Sequence, residues 1–329
     1  MSHRLNIGVL GCANIAIRSV IPAIQSLPDH FNLIGIASRS LNKATKIANR
    51  FNTKGFGSYR SLLETGNLDA VYIPLPTGLH KEWIENALKG NVHVLSEKSL
   101  VTNLNDALEL TELARAENRI LMENFQFRFH KQLSEIIRML EEGRIGELRS
   151  VRASFGFPPF PDKNNIRYNS RLGGGALLDA GVYTIKISQI LLGQDLDVIA
   201  ASSKVDKKSG VDIRGSGLLK SHKSDVTSHI AFGFDHYYQC GIDVWGTDGR
   251  LQTNRLFTAS AEISPVIHIE SNQENTVLNI EKDDHFQNML LHFHDLIVKG
   301  LNEKVEEEHQ QNLNQARLID QFKRIRYES

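Results

Sequence analysis

The stretch Leu5-Asn6-Ile7-Gly8-Val9-Leu10-Gly11-Cys12-Ala13-Asn14-Ile15-Ala16, near the start of the chain, decides the fold. Its first six residues are predicted to form a strand, and a helix is predicted from about Ile17 to Ser26. A strand that turns tightly into a helix directs free backbone N–H groups and the positive end of the helix at one point. A pyrophosphate can bind there without a basic side chain, so the stretch predicts a dinucleotide-binding turn.

The turn between this strand and this helix is built from small residues. Gly11 permits the tight turn, Ala13 is small enough for close backbone approach, and Ala16 lets the helix pack on the strand. The middle glycine of the usual G-x-G-x-x-G/A pattern is missing, so an ordinary strand-to-helix connection of an α/β protein stays open as an alternative. The residues expected to contact the cofactor here are Gly11, Cys12, Ala13, Asn14 and Ile15.

The second predicted strand, Phe31–Ala37, ends where a dinucleotide-binding fold reads the ribose of its cofactor. Ser38-Arg39-Ser40 follows it, with Lys43 one helical turn later, and the position holds no Asp or Glu. A carboxylate would accept hydrogen bonds from the 2′-hydroxyl of NAD, whereas a hydroxyl beside a guanidinium suits a 2′-phosphate. We therefore predict NADP(H) in preference to NAD(H). The alternative is that Arg39 is a solvated charge after a strand.

The composition excludes several classes of protein. The chain has 329 residues and a mass of 37.0 kDa, which is enough for two domains with separate cores. Its 38 basic and 38 acidic residues give a net charge of +0, which argues against nucleic acid or a membrane surface as a partner. The two cysteines, Cys12 and Cys240, are typical of a reduced, cytoplasmic protein. No signal peptide, membrane span or metal site is predicted.

Strand and helix patterns alternate over roughly the first 120 residues, which predicts a doubly wound parallel sheet covered by helices. Further strands are predicted there at 69–74, 92–95 and 119–122, and a helix at 103–117. After Leu148 the predicted strands are 149–157, 197–205, 211–219, 226–234 and 237–245, and the predicted helices are 175–192, 285–299 and 313–324. The fold class is therefore α/β. We predict a dinucleotide-binding domain at 1–123 and an α+β domain at 124–329 with a large open, mainly antiparallel sheet.

A lysine lies at the carboxyl end of the fourth predicted strand, in Ser96-Glu97-Lys98-Ser99. Open α/β sheets bind their ligands at this edge. Lys98 can hydrogen-bond a substrate oxygen there and stabilise the charge that develops on it. The alternative interpretation is a surface lysine at the end of a strand.

Three glycines open the segment Gly173-Gly174-Gly175-Ala176-Leu177-Leu178-Asp179-Ala180-Gly181-Val182-Tyr183. They allow a neighbouring backbone or a ligand to approach closely, and Asp179 and Tyr183 fall on one face of the helix that follows. If this phenol and carboxylate meet Lys98, the lysine favours the phenolate and the carboxylate holds the lysine, which makes a proton-transfer unit. A core tyrosine bonded to a local aspartate is the alternative.

Four motifs together resemble the Gfo/Idh/MocA family of oxidoreductases. They are the Gly11–Ala16 turn, the Glu97-Lys98 pair, the block from Glu123 to His130 and the segment from Gly173 to Tyr183, and they span nearly the whole chain. Within this family the chain is most similar to NADP-dependent 3-ketoreductases of nucleotide-linked deoxysugars, and it also resembles D-xylose and dihydrodiol dehydrogenases. The resemblance implies a Rossmann domain, a second α/β domain, and a homodimer or homotetramer formed through the open sheet.

The resemblance also implies the roles of the catalytic residues. The family's catalytic lysine falls on Lys98, its helix carboxylate on Asp179 and its proton donor on Tyr183. One residue departs from the pattern, because the family's Glu-Lys-Pro is here Glu97-Lys98-Ser99. If the proline makes this bond cis in relatives, Ser99 must hold a cis bond without a proline or let the loop relax to trans.

The predicted reaction is hydride transfer between the nicotinamide of NADP(H) and a carbonyl or hydroxyl carbon of a sugar, with Tyr183 as the proton donor. The segment 76–80 should line the cofactor, although His80 can also be a plain loop histidine. Besides the turn after the first strand, the residues expected to contact the cofactor are Ser38, Arg39, Ser40, Lys43, Pro74, Leu75, Pro76, Thr77, His80, Glu97 and Lys98.

A proline-stiffened loop, 157–168, precedes the helix that carries Tyr183. Lys163, Arg167 and the nearby Arg171 have charges that can bind a diphosphate, and Tyr168 can stack on a base. A structural loop with solvated charges is the alternative. The residues expected to bind the substrate are Lys98, Arg128, Arg167, Tyr168, Asp179 and Tyr183. Two other functions stay open: a dehydrogenase of a free sugar or diol, and a catalytically silent, cofactor-binding regulator.

Overall fold

The computed structural model describes residues 4–162, 164–272 and 275–328. By compactness the chain divides into two units, the first made of Met1–Asn124 and Phe286–Leu313 and the second of Phe125–His285 and Asn314–Ser329. The boundary predicted between the two functional domains, after residue 123, stays a prediction. The predicted fold class is confirmed, because a parallel sheet is followed by a larger, mainly antiparallel one.

The first unit contains a six-stranded sheet. Its strands are β1 (Leu5–Leu10), β2 (Phe31–Ala37), β3 (Lys54–Phe56), β4 (Ala70–Ile73), β5 (His93–Glu97) and β6 (Leu121–Asn124). They lie in the order β3-β2-β1-β4-β5-β6, and each is parallel to its neighbours. The direction of winding reverses between β1 and β4, which is the point where open α/β sheets bind their ligands.

Helices connect these strands and cover the sheet. They are α1 (Ile21–Gln25), which a π-helical turn at Ala16–Val20 precedes, α2 (Leu41–Arg50), α3 (Tyr59–Leu63), α4 (His80–Lys89) and α5 (Leu104–Ala116). Three of them begin at a capping side chain, because Ser40, Ser58 and Asn103 each accept a hydrogen bond from the backbone N–H three residues later. These caps fix where the chain turns after β2, β3 and β5.

The second unit is built on a nine-stranded sheet. Its strands are β7 (Leu148–Gly156), β8 (Leu196–Val205), β9 (Asp212–Ser221), β10 (Thr227–Gly233), β11 (Gln239–Gly246), β12 (Gly249–Thr253), β13 (Val266–Ser271), β14 (Asn275–Asn279) and β15 (Tyr327–Glu328). Their order is β14-β13-β12-β11-β7-β10-β9-β8-β15. Within the described strands of this second sheet, only the pairs β7–β10 and β8–β15 are parallel.

The helices of the second unit begin with α6 (Lys131–Glu141) and α7 (Val182–Leu192). A π-helical turn, Leu177–Gly181, leads into α7, which packs against β7 and β10. The helical stretch Ser170–Leu192 has the length and composition to cross a membrane, but 78% of its apolar window is buried inside the protein. It is therefore accounted for as the core helix of this unit.

Two helices complete the chain, α8 (His285–Lys299) and α9 (Asn302–Ile325). The range predicted for α8 from the sequence is confirmed, and so are those of β1 and β2. The prediction for α9 was wrong at its start, which lies at Asn302 instead of Leu313. Strands β3 and β12 to β15 were not predicted.

Candidate active site

The turn after β1 is shaped by Gly11. Its φ of +129° lies in a region that residues with a side chain rarely adopt, and a Cβ atom here would lie 3.0 Å from Cδ2 of Leu75. The backbone N–H of Gly11 donates to the carbonyl of Ala37 at 2.9 Å, which ties this turn to the end of β2. The next four predicted cofactor residues, 12–15, are partly or fully exposed where the helix begins.

The residues after β2 gather beside this turn. Ser38 is buried, and its Oγ accepts a hydrogen bond from the backbone N–H of Ser40 at 3.3 Å, while Ser40 in turn caps α2 through the N–H of Lys43. Burial raises the pKa of the Cys12 thiol, and the charge of Lys43 together with a hydrogen bond to Ser38 opposes this shift. Cys12, Ser38 and Lys43 therefore lie close together, and the exposed Arg39 is next to them in the chain.

Tyr59 joins this group, although the sequence did not point to it. It is the first residue of α3 and 8% exposed, and its ring meets that of Trp83 edge-on at 4.9 Å. Burial raises the pKa of the Tyr59 phenol, and the positive charge of the nearby Arg39 opposes this shift. The phenol thus lies close to the guanidinium that was predicted to read a 2′-phosphate. In the sequence, the only feature that could have indicated Tyr59 was its position directly after Ser58, the serine that caps α3.

The segment after β4 runs from Pro74 to His80 and forms a 3₁₀ turn at Thr77–Leu79. His80 is fully buried, and its Nε2 lies 2.7 Å from the carbonyl oxygen of Leu75. Its Nδ1 lies 2.9 Å from the carbonyl oxygen of Ser99 and 3.1 Å from that of Leu100. Burial lowers the pKa of His80, and these three carbonyl contacts oppose the shift. Both ring nitrogens of His80 thus contact backbone carbonyls. This geometry favours a structural role, in which His80 holds the loop after β5, over a role in which a ring nitrogen contacts the cofactor.

The loop that carries Lys98 is held from both sides. The Lys98–Ser99 peptide bond is cis. The Glu97 Oε1 accepts a hydrogen bond from the Tyr72 hydroxyl and another from the Asn124 side-chain amide, each at 2.6 Å. Burial raises the pKa of Glu97, and these two bonds and the charge of Lys98 oppose the shift. Tyr72 and Asn124 thus fix the residue before the predicted catalytic lysine.

Further along this loop, the backbone N–H of Leu100 donates to Oε1 of the buried Glu123 at 2.8 Å. Glu123 and Asn124 were singled out in the sequence only as part of a family motif. The structure gives both a physical reason, since they stand on β6, the strand next to β5, and Asn124 is the register partner of Glu97. Once the position of β6 in the sheet is known, its register with β5 identifies Asn124 as the neighbour of Glu97.

In the second unit the structure brings Asp179 and Arg167 together. The Arg167 Nε donates to Asp179 Oδ2 at 2.6 Å, and the guanidinium carbon lies 4.7 Å from the centre of the Phe160 ring. Both side chains are partly buried. The carboxylate that was predicted to hold Lys98 is therefore also the partner of a predicted substrate-binding residue.

The glycines before α7 make this pairing possible. A Cβ atom on Gly174 would lie 2.6 Å from the carbonyl oxygen of Arg167, and the backbone N–H of Gly175 donates to that oxygen at 3.0 Å. The N–H of Leu177 is bonded to Oδ2 of Asp212 at 2.6 Å. Burial raises the pKa of Asp212, and this bond opposes the shift. The close approach predicted from the glycines is made by the chain's own backbone.

Tyr183 packs within a cluster of aromatic rings. It is 8% exposed, and its ring centre is 5.2 to 5.9 Å from those of four phenylalanines, Phe125, Phe127, Phe155 and Phe257. Asp179 precedes it by four residues, so both belong to the same face of the helical segment. The rings fix the phenol in one position within this unit, as a positioned general acid requires.

A buried lysine accompanies this tyrosine and was not found from the sequence. Lys186 follows Tyr183 by three residues on α7 and is 1% exposed. Its Nζ lies 5.0 Å from the centre of the Phe125 ring, where a cation is attracted to the aromatic face. In the sequence it is one lysine within an apolar helix, and only the packing shows that it is buried.

The other residues predicted to bind the substrate also belong to the second unit. The ring of Tyr168 lies 6.2 Å from that of Phe234, and Arg128 sits in a 3₁₀ turn with its guanidinium 5.2 Å from the ring of Phe129. Arg171 is exposed, and its backbone N–H donates to Asn169 at 3.0 Å. Lys163 lies outside the described residues.

Comparison with known proteins agrees with this geometry. Residues 5–125 match the model of an oxidoreductase family with an NAD-binding Rossmann fold, and residues 133–252 match the Gfo/Idh/MocA C-terminal domain. A dTDP-3,4-didehydro-2,6-dideoxy-alpha-D-glucose 3-reductase of Saccharopolyspora spinosa is 42% identical over 284 residues, 86% of this chain and 85% of that protein. D-xylose 1-dehydrogenase (NADP(+)) 2 of Haloferax volcanii is 35% identical over 266 residues, 78% of this chain and 79% of that protein.

Among solved structures, the chain is similar to KijD10, a 3-ketoreductase from Actinomadura kijaniata, in complex with TDP-benzene and NADP. The TM-score is 0.92 at 37% identity, and the match covers 99% of both chains. Since both domain models match and relatives above 30% identity extend over most of the chain, the family is established. The chain is a member of the Gfo/Idh/MocA family of oxidoreductases.

Proposed function

We propose that the protein reduces a keto group of a nucleotide-linked deoxysugar with NADPH, as a 3-ketoreductase of a dTDP-sugar. The observation that carries this proposal is the match over 99% of both chains to a 3-ketoreductase in complex with NADP and a TDP compound. The relative from Saccharopolyspora spinosa, a 3-reductase of a dTDP-linked dideoxy sugar, supports the same substrate class.

The residues of the first unit fit a dinucleotide that carries a 2′-phosphate. Gly11 gives the chain its tight turn after β1, since its φ of +129° is one that residues with a side chain rarely adopt. Beyond β2, Ser38 and Arg39 offer a hydroxyl and a guanidinium, and the Tyr59 phenol lies close to the latter. We propose that these residues bind the pyrophosphate and the 2′-phosphate. When bound, the reduced nicotinamide supplies the hydride.

The residues proposed to take part in the reaction are Lys98, Asp179 and Tyr183. Lys98 stabilises the negative charge that develops on the substrate oxygen, and Tyr183 gives that oxygen its proton. Asp179 is proposed to hold the ammonium group of Lys98 in place. Tyr72, Asn124 and His80 act on the Lys98 loop through hydrogen bonds and are positioning residues. A general acid contributes roughly 10²- to 10⁴-fold, so alignment of the hydride donor and the ketone supplies much of the remaining rate.

Substrate binding is proposed for residues of the second unit besides Asp179 and Tyr183. Arg128, Arg167 and Tyr168 carry the charges and the aromatic ring that a sugar linked to a nucleoside diphosphate can use. We further propose a cytoplasmic homodimer or homotetramer formed through the open face of the second sheet. Trp245, on β11, is 56% exposed there, whereas its strand neighbours Val244 and Ile242 are buried.

A dehydrogenase of a free sugar is the second candidate, because a D-xylose dehydrogenase is 35% identical over 78% of the chain. An assay of NADPH absorbance separates the two. The purified protein should oxidise NADPH with dTDP-3,4-didehydro-2,6-dideoxy-α-D-glucose and show a far lower kcat/KM with D-xylose and NADP⁺. The opposite order of activities would support the second candidate, and no turnover with a broad panel of carbonyl compounds would support a silent regulator.

A further inference from the structure

The guanidinium of Arg167 is already engaged in this structure. Its Nε is bonded to Asp179 at 2.6 Å, and the group lies over the ring of Phe160. The positive charge of Arg167 therefore neutralises a carboxylate of the chain itself. A diphosphate brings further negative charges, and these require another cation near Tyr183.

Arg255 lies in the loop between β12 and β13 and is exposed. Its Nη1 donates to the hydroxyl of Tyr238 at 3.2 Å, and its guanidinium carbon lies 5.1 Å from the centre of that ring. No carboxylate within the described ranges lies at ion-pair distance from Arg255. Two other exposed arginines of this unit, Arg250 and Arg138, are instead paired with Glu270 and Glu135.

A short chain of contacts connects Arg255 to the proton donor. The hydroxyl of Tyr238 is 2.7 Å from Oγ1 of Thr258, which also lies 3.2 Å from the sulfur of the buried Cys240. The residue before Thr258 is Phe257, whose ring centre lies 5.5 Å from that of Tyr183. Arg255 therefore lies at the border of the cluster of aromatic rings that packs around Tyr183.

We propose that Arg255 recognises the diphosphate of the nucleotide-linked substrate and determines specificity for it. The inference rests on the proposed function and adds the residue that binds the diphosphate of the substrate. A guanidinium has a planar fork of donors that matches phosphate oxygens. Tyr238 holds this fork in place before the substrate arrives, which lowers the entropy lost on binding.

Calorimetric titration with dTDP and with thymidine tests this role. Arg255→Gln should weaken dTDP binding about 10- to 100-fold, the value of a charge-assisted hydrogen bond, and leave thymidine binding unchanged. Arg255→Lys should restore part of the loss. Arg138→Gln is the matched control, because it removes the same charge from an exposed arginine of the same unit and should leave dTDP binding unchanged.

Kinetics provide a second readout. With the nucleotide-sugar, Arg255→Gln should raise KM and leave kcat nearly unchanged, because the diphosphate is bound equally in the ground state and the transition state. Equal dTDP affinity of the wild type and Arg255→Gln overturns the inference and leaves the proposed function standing. Absence of dTDP binding by the wild type overturns both. A parallel loss of dTDP and thymidine binding, or a loss of kcat, would assign Arg255 a structural role instead.

Discussion

Arg167 and Asp179 form an ion pair in which Nε lies 2.6 Å from Oδ2. The sequence predicted separate roles for them: Arg167 binds the substrate, and Asp179 holds Lys98 in place. Their contact means that the loop of Arg167 and the helix of Tyr183 respond to one another, since the carboxylate stands one helical turn before the phenol. A change at Arg167 should therefore alter catalysis through Asp179.

A double-mutant cycle measures this coupling. Arg167→Gln and Asp179→Asn should each lower kcat/KM, and the double mutant should lose less than the sum, by about 0.5–3 kcal/mol, because the residues are in direct contact. The control is Arg171→Gln combined with Asp179→Asn, where the losses should add. Additive losses in the Arg167 pair would show that the contact has no part in the reaction.

The fold was predictable where apolar runs had clear ends. β1, β2 and α8 were placed correctly because each is a continuous apolar or amphipathic run. β3 was missed because it has three residues, one of which, Gly55, packs against the backbone of α2 where a Cβ would lie 2.6 Å from the backbone nitrogen of Thr45. The first half of α9 was missed because it is rich in charged and amide side chains.

Some of those polar residues of α9 are buried. Glu308 is 3% exposed, and the amide of Asn312 donates to the carbonyl of Leu121 at 2.8 Å. A polar face that packs against the protein has the same sequence pattern as one that faces water. Hydrophobic periodicity therefore cannot locate it, and the burial appears only when the chain has folded.

The candidate site was predictable at positions that the chain's own elements determine. Gly11 and Lys98 directly follow strands, and Asp179 and Tyr183 share a helical face, so their positions in the sequence pattern identified them. Their roles stay predictions. The partners that hold these residues were not predictable. Tyr59 meets Arg39 through packing, and Tyr72 meets Glu97 through the register of β4 and β5, which a single sequence does not specify.

NADPH should bind more tightly than NADH because Ser38 and Arg39 can bond the 2′-phosphate. A charge-assisted hydrogen bond is worth roughly 1.5–3 kcal/mol, so Arg39→Ala should weaken NADPH binding about 10- to 100-fold and leave NADH binding nearly unchanged. Fluorescence titration with both cofactors measures this. Arg50→Ala, at the far end of α2, is the control and should change neither affinity. Equal losses for the two cofactors would mean that Arg39 does not read the phosphate.

His93 should make the first unit sensitive to acid. Burial, assisted by repulsion from Arg119, lowers the pKa of His93 from 6.5 to about 4, and its Nδ1 accepts a hydrogen bond from the N–H of Ile120 at 3.0 Å. The folded state thus prefers the neutral ring. The corresponding stability is complete above pH 6.5 and is lost as the pH falls through 4. Allowing for partial exposure, the loss is roughly 1–3 kcal/mol.

Urea unfolding of the wild type and His93→Gln, at neutral pH and near pH 4, tests this dependence. The glutamine can accept the bond from Ile120 but does not titrate, so the variant should lose less stability than the wild type on acidification. A ring resonance of His93 that titrates near pH 6.5, followed by NMR, would contradict the assignment.

The open face of the second sheet should be buried between subunits. Trp245, Ile199 and Val277 are each more than half exposed on strands of this sheet. Light scattering should find a dimer or a tetramer, and Trp245→Glu should shift the population towards the monomer without loss of secondary structure. A wild-type monomer at micromolar concentration would rule out this interface.

Tyr183→Phe tests the proton donor because it removes only the hydroxyl. The ring keeps its contacts with Phe155 and Phe257, so folding and NADPH binding should survive while kcat falls roughly 10²- to 10⁴-fold. Lys98→Ala should fall at least as far, because the cation serves both the substrate oxygen and the phenol. The double mutant should lose little more than the worse single mutant, since both residues act in one proton transfer. Nearly wild-type kcat in Tyr183→Phe, with NADPH binding intact, would assign the proton to Lys98 or to water.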